Sequence, residues 1–156
     1  MAKEGRRSTG ISGLDLALEG GFPPGTAIVV LGSPLSGMDH MARQFWSVEN
    51  EPGCYLMIDG EVEDGMTAAG GIPPEQLTAH FTGDRIVVDS LSSIILSSGI
   101  EAAVACLASA KRDAAARNAN TMFIMYSDLH STQEEIRILR LADVVIELKE
   151  VIFMNE

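Results

Sequence analysis

The sequence is poor in cysteine, in aromatic residues and in positive charge. Its 156 residues include 2 Cys, 5% aromatic residues and 11 Lys and Arg against 22 Asp and Glu, for a formal net charge of −11. Nucleic-acid affinity comes mainly from Lys and Arg that displace counterions, so direct binding of DNA or RNA is not expected. Cys54 and Cys106 lie in separate apolar segments without metal-ligand spacing, which predicts buried free thiols.

Long hydrophobic runs and low-complexity tracts are also lacking. No window approaches the roughly 18 consecutive apolar residues that a membrane-spanning helix needs. The basic N-terminus, MAKEGRRSTG, is not followed by an apolar stretch. With 46% hydrophobic and 21% charged residues, the composition is that of a globular protein. We expect one cytoplasmic domain over residues 1–156, with no membrane partner.

Five short apolar runs without polar alternation predict buried strands, at residues 27–31, 54–58, 86–88, 122–126 and 144–148. Helical patterns follow at 39–48, 101–117 and 132–141, while Gly and Pro residues break 63–79 into two short helical pieces. Strands that alternate with helices predict an α/β fold with a parallel sheet. One more strand is expected at residues 151–154.

The segment after the first predicted strand has the glycine spacing of the phosphate-binding loop GxxxxGK[ST]. It consists of Gly32, Ser33, Pro34, Leu35, Ser36, Gly37, Met38 and Asp39. In such a loop backbone N–H groups hold phosphate oxygens, a Lys reaches the β and γ phosphates, and a Ser or Thr hydroxyl binds Mg²⁺. Met38 and Asp39 occupy the last two positions. The lost charge pair is worth roughly 4 kcal/mol at about 4 Å and an effective dielectric near 20, and Asp39 adds repulsion.

Two interpretations of Asp39 remain open. Ser36 and Asp39 have the spacing of a capping box, which predicts that the helix caps its own N-terminus and that a protein carboxylate occupies the anion site. In the alternative, Asp39 binds Mg²⁺ directly and Arg43 replaces the missing Lys.

Four stretches resemble the KaiC/RecA-like P-loop ATPases, of the archaeal KaiC-like and RadA-paralogue type. STGISGLD at residues 8–15 and GGFPPG at 20–25 are similar to the family's STGIxGLD and GGxPxG sequences. RIVVDSLS at 85–92 resembles the Walker B strand, and LADVVIEL at 141–148 resembles a late strand of the family. The resemblance implies a three-layer α/β/α RecA-like P-loop fold with a mainly parallel sheet in the core order 5-1-4-3-2.

The resemblance also implies site residues. Asp89 matches the Walker B aspartate that orients Mg²⁺, and Asp59 or Glu61 stands near the family's general-base pair. ATP or ADP with Mg²⁺ would be the ligands of an active site of this kind. The family's basic C-terminal strands are missing or cut short before Glu156.

From these departures we expect a degenerate P-loop domain, a pseudo-ATPase that acts as a binding or regulatory module and assembles with a protein partner, itself or an active homologue. The first alternative is a nucleotide-binding ATPase with a rearranged phosphate site. The second is a recombination accessory that acts on protein rather than on DNA.

Two metal-site hypotheses also stay open. The acidic cluster of Asp59, Glu61, Glu63 and Asp64 is either a hard-cation site or a solvated loop. His40 and His130 are expected near the same crevice, where a shared metal ion would require them to converge.

Overall fold

The computed structural model describes residues 5–150, in which strands alternate with helices. The strands are β1 (Thr26–Gly32), β2 (Gly53–Met57), β3 (Thr67–Ala68), β4 (Arg85–Asp89), β5 (Asn120–Tyr126) and β6 (Val144–Leu148). The helices are α1 (Ser12–Ala17), α2 (Met38–Trp46), α3 (Leu91–Ser98), α4 (Ile100–Arg117) and α5 (Thr132–Leu141), with a 3₁₀ helix at Pro74–His80.

The strands form one sheet in the order β3-β2-β4-β5-β1-β6, and every pair is parallel. The five strands expected from the sequence are β1, β2, β4, β5 and β6, so the predicted order 5-1-4-3-2 is confirmed. The two-residue edge strand β3 was not expected. Because the strands are parallel, the loops after β1, β2 and β4 meet at the carboxyl edge of the sheet, where open α/β sheets bind ligands.

Helices cover both faces of the sheet, which confirms the three-layer α/β/α architecture. One core cluster joins α2 to the sheet through Met38, Met41 and Phe45. The other joins α3, α4 and α5 to the opposite face, with Leu91, Leu107 and Ile138 among its buried residues. The central strands β4 and β5 are buried along nearly their whole length, which explains their lack of polar alternation.

The prediction of two helical pieces between residues 63 and 79 is wrong in its first half. Residues 63–68 contain a turn and strand β3, and only Pro74–His80 is helical, as a 3₁₀ helix. Pro74 fits the first turn of a helix, whereas Gly65 has a φ of +85° that a helix cannot include. Helices α1 and α3 were not expected. The strand predicted at residues 151–154 lies outside the described residues.

The motif at residues 8–15 lies at the amino ends of the strands, opposite to the carboxyl edge that carries the phosphate-type loop. Asp15 accepts hydrogen bonds from the Thr9 amide, the Thr9 hydroxyl and the Ser8 hydroxyl at 2.6, 2.7 and 2.5 Å. Arg85, fully buried at the start of β4, donates to the Ser8 and Phe45 carbonyls and to Glu51. The STGISGLD stretch therefore stabilises the fold and lies away from the expected phosphate site.

No helix within residues 5–150 combines the length and the apolar character that a membrane crossing requires.

Candidate functional site

The loop between β1 and α2 is a tight turn built on its own polar groups. The Ser36 amide and hydroxyl both donate to the Ser33 carbonyl, at 3.1 and 2.7 Å. A Cβ at Gly32 would lie 2.5 Å from the Ser36 hydroxyl and 3.0 Å from the Leu148 carbonyl oxygen, so a larger residue here would displace the Ser36 side chain. Gly37, with a φ of +95°, begins helix α2, and Pro34 and Leu35 are exposed at the tip.

The capping box predicted for Ser36 and Asp39 is wrong. No side chain caps α2, whose N-cap residue is Gly37 in the left-handed conformation. The Ser36 hydroxyl is bonded to the Ser33 carbonyl instead, since the left-handed turn at Gly37 places Ser36 outside the N-cap position. The first amides of α2 therefore receive no bond from an Asp39 or Ser36 side chain.

Met38, at the lysine position of the loop motif, belongs to the hydrophobic core. Its side chain is 2% exposed and packs in the cluster that includes Met41, Phe45 and Tyr55. The site thus has an apolar side chain under the loop where a phosphate-binding loop has a cation.

Asp89, at the end of β4, is buried and hydrogen-bonded to a tyrosine. It is 3% exposed, and its Oδ2 accepts a 2.7 Å bond from the Tyr55 hydroxyl. Burial raises the pKa of Asp89 to about 6; the Tyr55 bond opposes this rise, and the carboxylates of Asp59 and Asp39 add to it. The pKa of Tyr55 is also raised, by burial and by its bond to the Asp89 carboxylate. Ionisation of Asp89 is therefore costly unless a cation approaches.

An acidic pocket of about 250 Å³ lies beside the loop, at the carboxyl ends of β2 and β4. Its charged lining residues are Asp39, Asp59, Glu61, Glu63, Asp89 and Arg43. Five carboxylates face a single guanidinium, and that guanidinium is paired with Glu63 at 3.1 Å. This charge balance attracts cations and repels phosphate groups.

Both candidates for the general-base position lie in this acidic pocket. Asp59 accepts a 3.0 Å hydrogen bond from the hydroxyl of Ser90, the residue that follows Asp89. Glu61, two residues further along the chain, is exposed and lines the same pocket. The structure thus brings Asp39, Asp59, Glu61 and Asp89 together, as their positions after β1, β2 and β4 predict.

Sequence reasoning missed two tyrosines of the site. Tyr55 is the partner of Asp89, and Tyr126, at the end of β5, lines the acidic pocket. Burial raises the pKa of Tyr126 to about 12, with Asp89 adding to the effect. For Tyr55 the sequence did offer a signal, a hydroxyl-bearing aromatic residue inside an otherwise apolar strand, two residues before the strand ends. A buried Tyr hydroxyl needs a polar partner.

A second cavity of about 430 Å³ opens on the other side of the loop. Gly32, Ser33, Ser127 and Asp128 line it, so the two residues that follow β5 do lie near the loop. Glu135, Glu147, Lys149 and Glu150 also line this cavity. Lys149 pairs with Glu147 at 3.6 Å, and the remaining carboxylates extend the negative charge along the carboxyl edge.

The histidines have separate polar partners. His40 bonds to Gln44 and His130 to Ser92, each at 2.8 Å, and neither lines the acidic pocket. Within residues 5–150, no group of three or more His, Cys, Asp or Glu side chains is arranged to hold a metal ion. Cys54 and Cys106 are free and buried, as predicted.

Comparison with solved structures identifies the fold. The KaiC-like protein PH0186 from Pyrococcus horikoshii OT3 matches with a TM-score of 0.70, 19% identity, 91% of this chain and 79% of its own. FlaH, a flagellar accessory protein from Methanocaldococcus jannaschii, matches with a TM-score of 0.68, 13% identity, 99% of this chain and 82% of its own. The RadB recombinase matches with a TM-score of 0.67, 19% identity, 90% of this chain and 81% of its own. The chain has the RecA/KaiC-like P-loop fold.

A comparison of sequences gives a short match to a curated protein. The UPF0273 protein MK0039 from Methanopyrus kandleri is 40% identical over 62 residues, which span 38% of this chain and 24% of that protein. The chain therefore covers about a quarter of the curated relative it matches. No family model matches the sequence.

Proposed function

We propose that this RecA/KaiC-like domain does not hydrolyse ATP and acts as a binding or regulatory module for a protein partner. The observation that carries the proposal is the charge of the acidic pocket, with five carboxylates against the one ion-paired Arg43. A triphosphate would enter a field of its own sign, whereas the basic side chains of a protein would be attracted.

The residues at the loop fit a nucleoside triphosphate poorly. The buried Met38 supplies no charge, and Asp39 faces the same acidic pocket as Asp89. The electrostatic stabilisation of a phosphoryl group needs positive groups fixed around its oxygens. Arg43 is the candidate substitute, and pairing it with a phosphate would require breaking its bond to Glu63.

A rearranged nucleotide site is the second candidate function, and Asp89 is the observation that favours it. Asp89, Asp59 and Asp39 supply carboxylate oxygens of the kind that bind Mg²⁺, and the raised pKa of Asp89 would fall beside a cation. In that case Mg²⁺ would carry the charge that the loop lacks, and Asp89 would orient it.

Calorimetric titration with ATP and Mg²⁺ separates the two candidates. Wild-type protein should show no binding up to millimolar ATP, and Met38→Lys/Asp39→Thr, which restores the loop consensus, should bind. Leu35→Lys is the matched control, because it adds a cation at the exposed tip without restoring the lysine position. Thermal unfolding checks that each variant folds.

Micromolar binding by the wild type would overturn the proposal in favour of the rearranged site. Mg²⁺-dependent turnover that disappears in Asp89→Ala would then assign hydrolysis to this pocket. Trp46 offers an independent signal, since its ring packs 5.2 Å from that of Tyr55, the partner of Asp89. Its fluorescence should change only with a ligand that reaches the Asp89 end of the acidic pocket.

A further inference from the structure

Residues 60–65 form one wall of the acidic pocket and begin and end with glycine. Gly60 and Gly65 flank the sequence EVED, and all six residues are exposed. Gly60, Glu61 and Glu63 line the pocket. Gly65 has a φ of +85°, in the region that favours glycine. This segment, which we call the strap, has no buried side chain of its own to hold it in place.

The chain is anchored on both sides of the strap. Before it, the Ile58 amide donates a 2.7 Å hydrogen bond to the Asp89 carbonyl. After it, Met66 packs against the core cluster that contains α2, and the Ala69 amide donates to the Met57 carbonyl at 2.8 Å. A movement of the strap would therefore leave the sheet and its core in place.

The strap contacts helix α2 through Glu63 and Gly65. Glu63 pairs with Arg43 at 3.1 Å, and the two side chains are 49% and 43% exposed. A Cβ at Gly65 would lie 3.3 Å from the ring of Trp46, so the strap backbone lies against the indole. Exposed ion pairs contribute little to stability because water and salt screen them. The position of the strap therefore depends on contacts that a charged ligand can outcompete.

Arg43 links the strap to the interior of the acidic pocket. Its Nε is buried and has no hydrogen-bond partner among the described residues, so the guanidinium is only partly satisfied by Glu63. Its charge is also felt at Asp89, where it opposes the rise in pKa that burial causes. One cation thus serves both the strap and the pocket.

Occupants of opposite charge act on the strap in opposite directions. A cation in the pocket is attracted by Glu61 and Glu63, so it holds the strap against the pocket together with Arg43 or in its place. An anion attracts Arg43 away from Glu63 and repels both strap carboxylates. The first occupant keeps the strap closed, and the second releases it.

We propose that the strap is a charge-sensitive lid, which stays closed over a basic side chain in the acidic pocket and opens when an anion withdraws Arg43 from Glu63. The choice of a basic occupant rests on the proposed function. Closure by the Arg43–Glu63 pair is a property of the ligand-free chain and can be tested by itself.

Acrylamide quenching of Trp46, the single tryptophan of the chain, measures closure without any ligand. Arg43→Gln and Glu63→Gln should each raise the quenching constant by about twofold, because local opening uncovers the part of the indole beside Gly65. The exchange Arg43→Glu/Glu63→Arg should restore the wild-type value. Wild-type protein in about 1 M NaCl should behave like the single variants, since salt screens the pair.

Matched controls separate strap opening from a general effect of charge. Asp64→Asn removes the carboxylate next to Glu63, and Arg112→Gln removes an exposed cation on α4. Both should leave the quenching constant unchanged. Equal quenching in the wild type and the single variants, or no recovery in the exchange variant, would overturn the lid. The salt experiment needs no substitution, so it decides the question even if a variant fails to fold.

Ligands of opposite charge test the two directions of the lid. A hexa-arginine peptide bound to the wild type should lower the quenching of Trp46. Tripolyphosphate added to Met38→Lys/Asp39→Thr should raise it, and absence of that rise would overturn the opening step. Peptide binding without lower quenching would overturn the lid and leave the proposed function standing. No calorimetric binding of the peptide would overturn the proposed function and the basic occupant, while the ligand-free variants still decide closure by Arg43 and Glu63.

Discussion

At the scale of single residues, Asp89 is the side chain in which burial and charge oppose each other most directly. Its carboxyl group is buried beside the Tyr55 hydroxyl and faces the other carboxylates of the acidic pocket. Its position at the end of β4 follows from the sequence, but its protonation depends on this environment. Burial of this carboxyl group therefore opposes its ionisation, and a nearby cation would favour it.

Asp89→Asn should stabilise the protein at neutral pH and lose that advantage in acid. Because the pKa of Asp89 rises from 3.8 to about 6 on folding, the folded state prefers the protonated group. Stability from this residue is fully present below about pH 4 and is lost as pH rises through 6. Above pH 7, the unfolding free energy of the variant should exceed that of the wild type by about 2–3 kcal/mol.

Urea unfolding at pH 4, 5, 6, 7 and 8 measures this difference. Asp64→Asn, at an exposed position of the acidic segment, controls for the loss of one negative charge. A stability difference independent of pH would contradict the assignment of the raised pKa to Asp89.

Thr121→Val should stabilise the protein by about 1 kcal/mol, since it removes a buried hydroxyl without a partner. Thr121 lies fully buried in β5, and its Oγ1 has no hydrogen bond within the described residues. Thr9→Val makes the same chemical change where the hydroxyl bonds to Asp15, and should destabilise. Both differences can be read from urea midpoints. Destabilisation by both variants would show that Thr121 has a polar partner.

At the scale of elements, the helices begin in different ways. Helix α5 has a capping box, in which the Ser131 hydroxyl accepts from the Glu134 amide and the Glu134 carboxylate accepts from the Ser131 amide. Ser90 caps α3 by accepting from the Ser93 amide. Helix α2 begins at a left-handed Gly37 with no side-chain cap. The helix after the phosphate-type loop therefore keeps its N-terminal amides free of side-chain bonds.

Ser131→Ala should cost about 1 kcal/mol of unfolding free energy, because it removes the side-chain acceptor at the start of α5. Ser36→Ala should cost less, since its hydroxyl bonds one carbonyl within the loop and caps no helix. Chemical unfolding of the two variants compares them directly. An equal or larger loss in Ser36→Ala would show that Ser36 stabilises α2 as a cap.

At the scale of the whole molecule, charge decides which partners are compatible with the fold. The net charge is −11, and carboxylates line both cavities at the carboxyl edge of the sheet. Arg85, Arg117 and Arg137 are each paired or buried, so they add little positive field outside the protein. This charge disfavours phosphate-rich partners and supports the proposal that the partner is a basic protein surface.

Single-stranded DNA should bind with a dissociation constant weaker than about 100 µM at 150 mM salt, because too few cations are free to displace counterions. Fluorescence anisotropy with a labelled oligonucleotide, repeated at lower salt, measures this. Micromolar affinity that falls steeply with salt would contradict the prediction and favour a role on DNA.

Much of the fold could be predicted because its signals are local. Each of the five expected strands is a short apolar run, and parallel order followed from alternation with helices and from the family resemblance. Helices α1 and α3 escaped prediction since one spans only Ser12–Ala17 and the other, Leu91–Ser98, mixes serines with β-branched residues. Helix α1 packs through Leu14 against the core cluster that contains α2, and α3 packs in the cluster that contains α4. Such tertiary packing, rather than helix propensity, stabilises both helices.

The sequence by itself determined the glycine frame of the loop, the missing lysine at Met38, the buried strands and the negative charge, because these are properties of residue type and spacing. Only the tertiary structure decided that Tyr55 bonds Asp89, that Arg43 pairs with Glu63 and that Ser36 caps no helix. The first two contacts join residues 34 and 20 positions apart in sequence, and the third depends on the left-handed backbone at Gly37. Such contacts exist only after the sheet has brought the ends of its strands together.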